Sequence, residues 1–436
     1  MAAPKKDPSP IERLLIISYH SGIDASAASH HIDDRFPELV RQGVDFEIIS
    51  SVCGTPHEDY KQYRVFSGLP TGWRFEVRSL IRRSQSPFSR FFFRVLTLLI
   101  GPFYWLERLL VPLDATWSWF LFAAPVGLFR AIRFKPDVIY ITSGSDSGQT
   151  TGLIVSKLSG IPFISEFQDP IVYQRNPNKR LEKYYKTTLE RKLAEYSGRL
   201  VYLNENAKKA AQQRIPQYAN KMEFIYPGLI APPKAEISET YTAGRKIIAH
   251  FGTLSGNRNL ESVLQALDSL EVAEEIEFHL YGHVASDILA SIEKSPHKRL
   301  FKYYGKIPRQ EALKKMAESD VLLLVQNRNK ASTETIPSKA FEYMQTGKPV
   351  LGCIHNNKEL EALLHSHGHL AADIRHPDDI SGLLEKLISS DRTSLTQAVK
   401  PYTYDLAQCV TLLLELLAVV ATERRNTIDD KKTVKT

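Results

Sequence analysis

The sequence predicts an α/β chain made of two doubly wound, parallel-sheet domains, and three observations carry that expectation. Short apolar runs of strand length alternate with longer helix-compatible segments, and the alternation occurs in two separate series. Between the series, around residues 227–245, the stretch PGLIAPPKAEISETYTAG holds three prolines and two glycines with little periodicity, as expected of an interdomain connection. The length of 436 residues suits two or three domains at about 100 to 200 residues each.

The first series opens with RLLIISY (13–19), a turn at Ser21 and Gly22, a helical stretch through Leu39 and Val40, and the strand FEIIS. DVIYIT then leads into the polar turn SGSDSGQTTG, the helix LIVSKLSG and the buried strand IPFISEF, after which LERKLAEYSG and RLVYLN continue the pattern. The second series runs KIIAHFGTL, LESVLQALDSL, EIEFHLYGH, SDILASIEK, LFKYYGKI, EALKKMAES and VLLLVQN. It closes with PSKAFEYMQTGKPVLGCI, HLAADI and PDDISGLLEKLIS, and the apolar segment YDLAQCVTLLLELLAVVATERR reads as a final helix. These readings give a first domain over 1–235 and a second over 243–400. They add a helix over 401–424 packing back on the first domain, and a disordered tail over 425–436.

Composition narrows the function classes. Hydrophobic residues at 43% and charged residues at 24% exclude wholesale disorder and a fibrous chain. The three cysteines, Cys53, Cys353 and Cys409, are far apart and form no CxxC or Cys/His cluster, which fits a reducing cytoplasmic compartment. The start MAAPKKDPSP lacks the apolar core of a secretory signal. A net charge of +7 points to an anionic partner: nucleic acid, acidic lipid or a phosphorylated small molecule.

Residues 74–133 carry nine arginines against three acids, interleaved with Phe91, Phe92, Phe93, Tyr104, Trp105, Trp117 and Trp119. The charge-free runs 95–106 and 115–129 fall short of the roughly 18 to 20 residues that span a bilayer. Two readings stand: an interfacial surface in which aromatic rings enter the headgroup region of an anionic membrane, or buried helices of the first domain. No nucleic-acid recognition module accompanies the charge, so nucleic acid is not expected as a partner.

The segment TETIPSKAFEYMQTGKPV sets Glu334 and Glu342 eight positions apart with Pro337 between them. Proline there favours a helix start. Glu334 then lies in the preceding loop and Glu342 inside the helix, so two carboxylates address different parts of a ligand across the helix N-terminus. The cap position would fall on Ile336, which has no side-chain acceptor, so first-turn N–H groups around Ser338 are free for a phosphate, beside the charge of Lys339. The alternative is an ordinary helix start with solvated Glu and Lys.

This loop-plus-helix pattern resembles the E-x7-E motif of glycosyltransferase family 4, enzymes of the GT-B fold. The resemblance spans both series and is strongest from about Phe251 to Gly352, where FGTLSGNRNL is similar to the family's donor-phosphate turn. It implies two Rossmann-like domains facing a central cleft. By the same resemblance Glu334 contacts donor sugar and phosphate, Glu342 binds the nucleotide ribose, and Gly252, Thr253, Arg258, Ser338 and Lys339 form the rest of the donor site. Two departures are visible: Thr253 stands where many members have arginine, with Arg258 in place of a nearby lysine, and NRNKASTET replaces a glycine-rich element before Glu334.

In the first domain, the segment from Asp114 to Ser147 and FISEFQDP resemble members that glycosylate surface polysaccharides or lipid-linked acceptors. Asp169 ends a strand where open α/β sheets place ligands, and either orients the acceptor or helps balance oxocarbenium charge, or else caps the following turn. Ser21 and Gly22 are candidates for approach to donor phosphate or acceptor. Their turn lacks GxGxxG, which disfavours a dinucleotide oxidoreductase.

The resemblance thus implies retaining transfer from a nucleotide sugar to a polysaccharide or lipid-linked acceptor, by a cytoplasmic enzyme peripheral on the inner face of the cell membrane. No cofactor is expected. The chain has no Asp-x-Asp pattern to clamp a metal diphosphate, and His20, His30, His31, His250 and His283 form no ligand set. Competing readings are a nucleotide-sugar 2-epimerase of the same fold and a non-catalytic, membrane-associated nucleotide-binding protein.

Overall fold

The computed structural model describes the chain except residues 1–10, 24–25, 112, 143, 173–179, 229–243, 272, 401 and 434–436. The chain divides into two compact units, Met1–Gly228 with Leu406–Thr436, and Leu229–Asp405. Most of the expected connection around 227–245 lies outside the described residues.

The first unit holds strands β1 (Arg13–Ile17), β2 (Asp45–Ser51), β3 (Lys61–Val65), β4 (Val138–Thr142), β5 (Phe163–Phe167), β6 (Arg199–Tyr202) and β7 (Met222–Phe224). Its helices are α1 (Ala27–Asp33), α2 (Phe36–Arg41), α3 (Pro70–Arg83), α4 (Pro87–Leu110), α5 (Phe120–Phe134), α6 (Asp146–Ser159), α7 (Arg180–Tyr196) and α8 (Glu205–Arg214). All seven strands are parallel in the order β3-β2-β1-β4-β5-β6-β7. Residues 14–17, 138–142 and 163–167 are buried throughout, which is why these strands read as unbroken apolar runs rather than alternating ones. β3 and β7, at the two edges, carry more polar residues and gave no strand signal.

The second unit holds β8 (Lys246–Phe251), β9 (Ile276–Tyr281), β10 (Phe301–Gly305), β11 (Val321–Val325), β12 (Val350–Ile354) and β13 (Leu370–Asp373). With them alternate α9 (Glu261–Asp268), α10 (Ser286–Lys294), α11 (Arg309–Glu318), α12 (Ser338–Gln345), α13 (Lys358–Ser366), α14 (Pro377–Ser389) and α15 (Arg392–Gln397). The order is β10-β9-β8-β11-β12-β13, again parallel. Each sheet therefore reverses strand order beside its first strand, at β1/β4 and β8/β11. Those are the switch points where open α/β sheets hold ligands. Both units are doubly wound and Rossmann-like.

The last helix, α16 (Leu406–Thr433), returns to the first unit and packs on α2, β4 and β5. Its buried stripe includes Cys409, Val410, Leu413, Leu417 and Val420, and ion pairs Arg199–Glu423 and Arg425–Asp137 fix its far half at 2.8 and 2.7 Å. Residues 425–433 are helical, contrary to the disordered tail expected from 425 onward. No glycine or proline interrupts this stretch, and each residue added to an existing helix gains one hydrogen bond without a new nucleation cost.

A buried polar knot ties α1, α2 and the sheet together. Arg35 reaches Glu166 at 2.8 Å, and His31 Nε2 lies 2.9 Å from the same carboxylate. Arg35 also donates to the Tyr140 hydroxyl and to Cys409 Sγ of α16. Burial alone would raise the Glu166 carboxyl, but Arg35 and His31 outweigh it and hold it below the usual carboxylate range.

Candidate functional site

The second unit gathers most of the expected donor residues at the C-terminal end of its sheet. β8 ends at Phe251, and Gly252 turns the chain with φ of 148° while its N–H donates to the Tyr281 carbonyl at 2.8 Å. The next turn crowds this one, since a Cβ on Gly282 would stand 2.0 Å from the Gly252 oxygen. A Cβ on Gly252 would in turn stand 2.9 Å from Lys339 Cε. Glycine at 252 thus lets a lysine from α12 lie against the turn.

Helix α12 starts one residue later than the sequence reading. Pro337, with ψ of 134°, is the cap instead of the first helical residue, and it supplies no side-chain hydrogen bond. Ser338 and Lys339 therefore occupy the first turn, where uncapped N–H groups and the helix dipole favour an anion. Tyr343, one turn on, locks α12 to β8: its buried hydroxyl accepts from the Phe251 N–H at 2.9 Å and donates to the Phe251 carbonyl at 3.1 Å.

Charge at this end is mostly positive. Lys339 Nζ lies 3.8 Å from Glu342, and Arg309 stands at 3.8 Å on the other side of that carboxylate. Lys339 keeps 36% of its side chain in solvent. Burial of its remainder lowers the ammonium pKa; Glu342 opposes that shift, while Arg309 and Arg258 add to it. Arg258 is half-buried, its Nε meets no partner among the described residues, and burial lowers its pKa as well. Thr253 is exposed on the turn.

Glu334 sits at the end of the short 3-10 turn Lys330–Thr333, its N–H donating to the Ala331 carbonyl at 3.0 Å. Two buried amides hold this loop. Gln326 Nε2 donates to the carbonyls of Ser332 and Thr335 at 2.8 and 3.0 Å, and Asn357 Nδ2 donates to the same pair at 2.6 and 2.9 Å. The sequence reading missed this latch; a polar residue closing the apolar run VLLLV was its one visible signal.

His250, read as structural or solvated, is buried at the end of β8. Nδ1 lies 2.9 Å from the Leu323 carbonyl, while Nε2 is buried without a partner among the described residues, near Lys339 and Gly252. Burial, assisted by Lys339 and Arg258 and opposed by the Leu323 carbonyl, lowers its pKa to about 4.

In the first unit the candidates are less gathered. The Ser21 hydroxyl donates to Asp33 Oδ1 at 2.7 Å and the Gly22 N–H to Asp33 Oδ2 at 2.8 Å, so both are committed to a carboxylate. His57 Nε2 joins them 3.1 Å from Ser21 Oγ. Asp169 is exposed in the bend after β5 and has a partner of its own. At the β1/β4 switch point stands a group the sequence reading did not single out. Asp146, at the start of α6, lies 3.4 Å from Lys186, and burial raises its carboxyl to about 6 despite that lysine. His20, in the turn after β1, is lowered to about 4 by burial, partly offset by Asp114. Among the described residues no group of three His, Cys, Asp or Glu side chains is placed to hold a metal ion.

No protein-family profile and no curated protein matches this chain. Solved structures do. Anabaena Alr3699/HepE in complex with UDP is similar over 96% of this chain and 100% of its own, at 12% identity and a TM-score of 0.58. WaaG, a glycosyltransferase involved in lipopolysaccharide biosynthesis, is similar over 93% of this chain and 99% of its own, at 12% identity and a TM-score of 0.58. An α,α-trehalose-phosphate synthase (UDP-forming) from Burkholderia vietnamiensis is similar over 97% and 99%, at 11% identity and a TM-score of 0.55. At these identities the likeness is one of fold, and it extends along nearly the whole chain: this protein has the two-domain fold of those glycosyltransferases.

Proposed function

We propose that this protein is a retaining, family 4-like glycosyltransferase that moves a hexosyl group from a nucleotide sugar to a polysaccharide or lipid-linked acceptor. The observation that carries the reading is the cationic cradle of the second unit: Lys339 laid against Gly252, Arg258 whose Nε has no partner among the described residues, and the start of α12 without a side-chain cap. Departure of the sugar leaves charge on the diphosphate, and preorganised cations and N–H groups aimed at that charge lower the barrier. Glu342, between Lys339 and Arg309, takes the ribose hydroxyls, and Glu334, on its latched loop, takes the sugar. HepE solved with UDP and with UDP-glucose supports a nucleotide-sugar donor for this fold.

The acceptor side is assigned to the first unit, with Asp169 and the half-buried Asp146 as its carboxylates. Cations in place of a metal carry the leaving-group charge, so the reaction is metal-independent. The enzyme works in the cytoplasm at an anionic membrane surface. Incubating the full chain with nucleotide sugars, with and without a lipid or glycan extract, tests this reading. Acceptor-dependent nucleotide release with a product of unchanged anomeric configuration, undiminished by EDTA, is expected. Sugar conversion without an acceptor would replace the reading with an epimerase, and inversion at the anomeric carbon would remove the retaining mechanism.

A further inference from the structure

The paired helices α3 and α4 turn an apolar surface outward. On α4, Phe93, Leu96, Ile100, Tyr104 and Glu107 recur at helical spacing on the covered side, against α3. The opposite side carries Phe91, Val95, Leu98, Trp105 and Leu109, all exposed, with Leu98 at 76% and Leu109 at 80%. The sequence left this segment open between a membrane face and core helices. The structure leaves the outer side of α4 uncovered among the described residues, so core burial accounts for only half of it.

Charge decides what fits there. The only acids of the hairpin, Glu76 and Glu107, are buried and bonded inward, Glu76 to Ser67 and Glu107 to the Thr71 N–H and the Trp117 indole, each at 2.7 Å. Its exposed charges are Arg78, Arg82, Arg90 and Arg94. Arg90 and Arg94, four residues apart, fall at the rim between the covered and outward sides of α4. A second copy docking by two-fold symmetry would bring this cationic patch against itself. An anionic bilayer offers both an apolar interior and the opposite charge.

We propose that the α3–α4 hairpin is a wedge lying in the plane of an anionic bilayer, its outer side entering the acyl boundary while Arg90 and Arg94 meet headgroup phosphates. This deepens the membrane partner proposed above and rests on it. The charge-free run 95–106 is about 18 Å long as a helix, short of the roughly 30 Å of a bilayer core, so the helix lies along the surface. α16, which is long and apolar enough to span, instead spends its apolar stripe on the first sheet.

The test is co-sedimentation of the full chain with phosphatidylcholine vesicles, with and without phosphatidylglycerol, at low salt and at about 1 M, where screening acts within about 3 Å. Wild type is expected to pellet with anionic vesicles and to stay largely bound at high salt. Combined Leu98→Gln, Trp105→Gln and Leu109→Gln, all on the outer side, should lower partitioning at least about tenfold with the melting temperature unchanged. Arg90→Glu with Arg94→Glu should remove the preference for anionic vesicles. Failure of wild type to pellet, equal pelleting of the triple variant, or a wild-type dimer that the triple variant dissolves would each overturn the wedge. Nucleotide-induced thermal shifts are run in parallel: pelleting without any shift supports the wedge and overturns the donor reading.

Discussion

Replacing Lys339 by methionine removes one charge from the cradle and keeps a stem of similar shape against Gly252. A unit charge about 4 Å from a phosphate oxygen interacts by about 4 kcal/mol at an effective dielectric of about 20. Loss of one preorganised donor in an enzyme site costs about 2.7 to 4 kcal/mol. Because 36% of the Lys339 side chain reaches solvent, water replaces part of the interaction, and the lower end applies, about a hundredfold in kcat. Stability moves the other way. Burial lowers the ammonium pKa in the folded chain, so the charged form is disfavoured there, and removing it leaves the melting temperature unchanged or slightly higher. The assay pairs steady-state kinetics on the donor with thermal unfolding of the same preparation. Kinetics within about twofold of wild type would refute the assignment of Lys339 to the leaving group, and so would an activity loss that merely follows a fall in melting temperature.

Gly252→Ala places a Cβ at positive φ and against Lys339, with an expected loss of about 1 to 3 kcal/mol and weaker nucleotide binding; urea unfolding and nucleotide titration measure both. Glu166→Gln leaves Arg35 buried without its counter-charge, and breaking such a pair costs about 3 to 5 kcal/mol; a loss below about 1 kcal/mol in chemical unfolding would contradict the knot's role. His250, lowered to about 4 against about 6.5 when unfolded, binds its proton more readily in the unfolded chain. Its contribution is complete above about pH 6.5 and is lost as pH falls toward 4, about 2 kcal/mol by pH 5. Comparing pH 7 with pH 5, His250→Gln should show a correspondingly smaller loss than wild type, and an identical pH slope in both would contradict this.

The sheets were legible because parallel strands buried on both faces leave unbroken apolar runs such as RLLII and VLLLV. Edge strands β3 and β7 lack that pattern, and their pairing with β2 and β6 is a tertiary fact. The C-terminal end of the second sheet, where the donor site is proposed, was legible through glycine and proline, whose backbone demands are local: Gly252 marks the turn and Pro337 the start of α12, within one residue. Partners distant in sequence were not. Nothing near Ser21 announces that Asp33 takes its hydroxyl, or that Asn357 holds the loop of Glu334 from 22 residues beyond Thr335. Nor does composition tell an exposed apolar helix from a buried one, so α4 stayed ambiguous until the acids of the α3–α4 hairpin, Glu76 and Glu107, proved to be buried.

The most direct measurement of the donor assignment is thermal unfolding of wild type, Lys339→Met and Glu342→Ala in the presence of UDP, GDP, ADP and CMP and their sugar conjugates. A ligand at about a hundred times its Kd adds about 2.7 kcal/mol of stability, a readily measured shift. One nucleotide series should stabilise wild type, with the shift reduced in Lys339→Met and in Glu342→Ala while both variants unfold near the wild-type temperature without ligand. Equal shifts in all three proteins would place the nucleotide elsewhere, and no shift with any nucleotide sugar would contradict donor binding at the cradle.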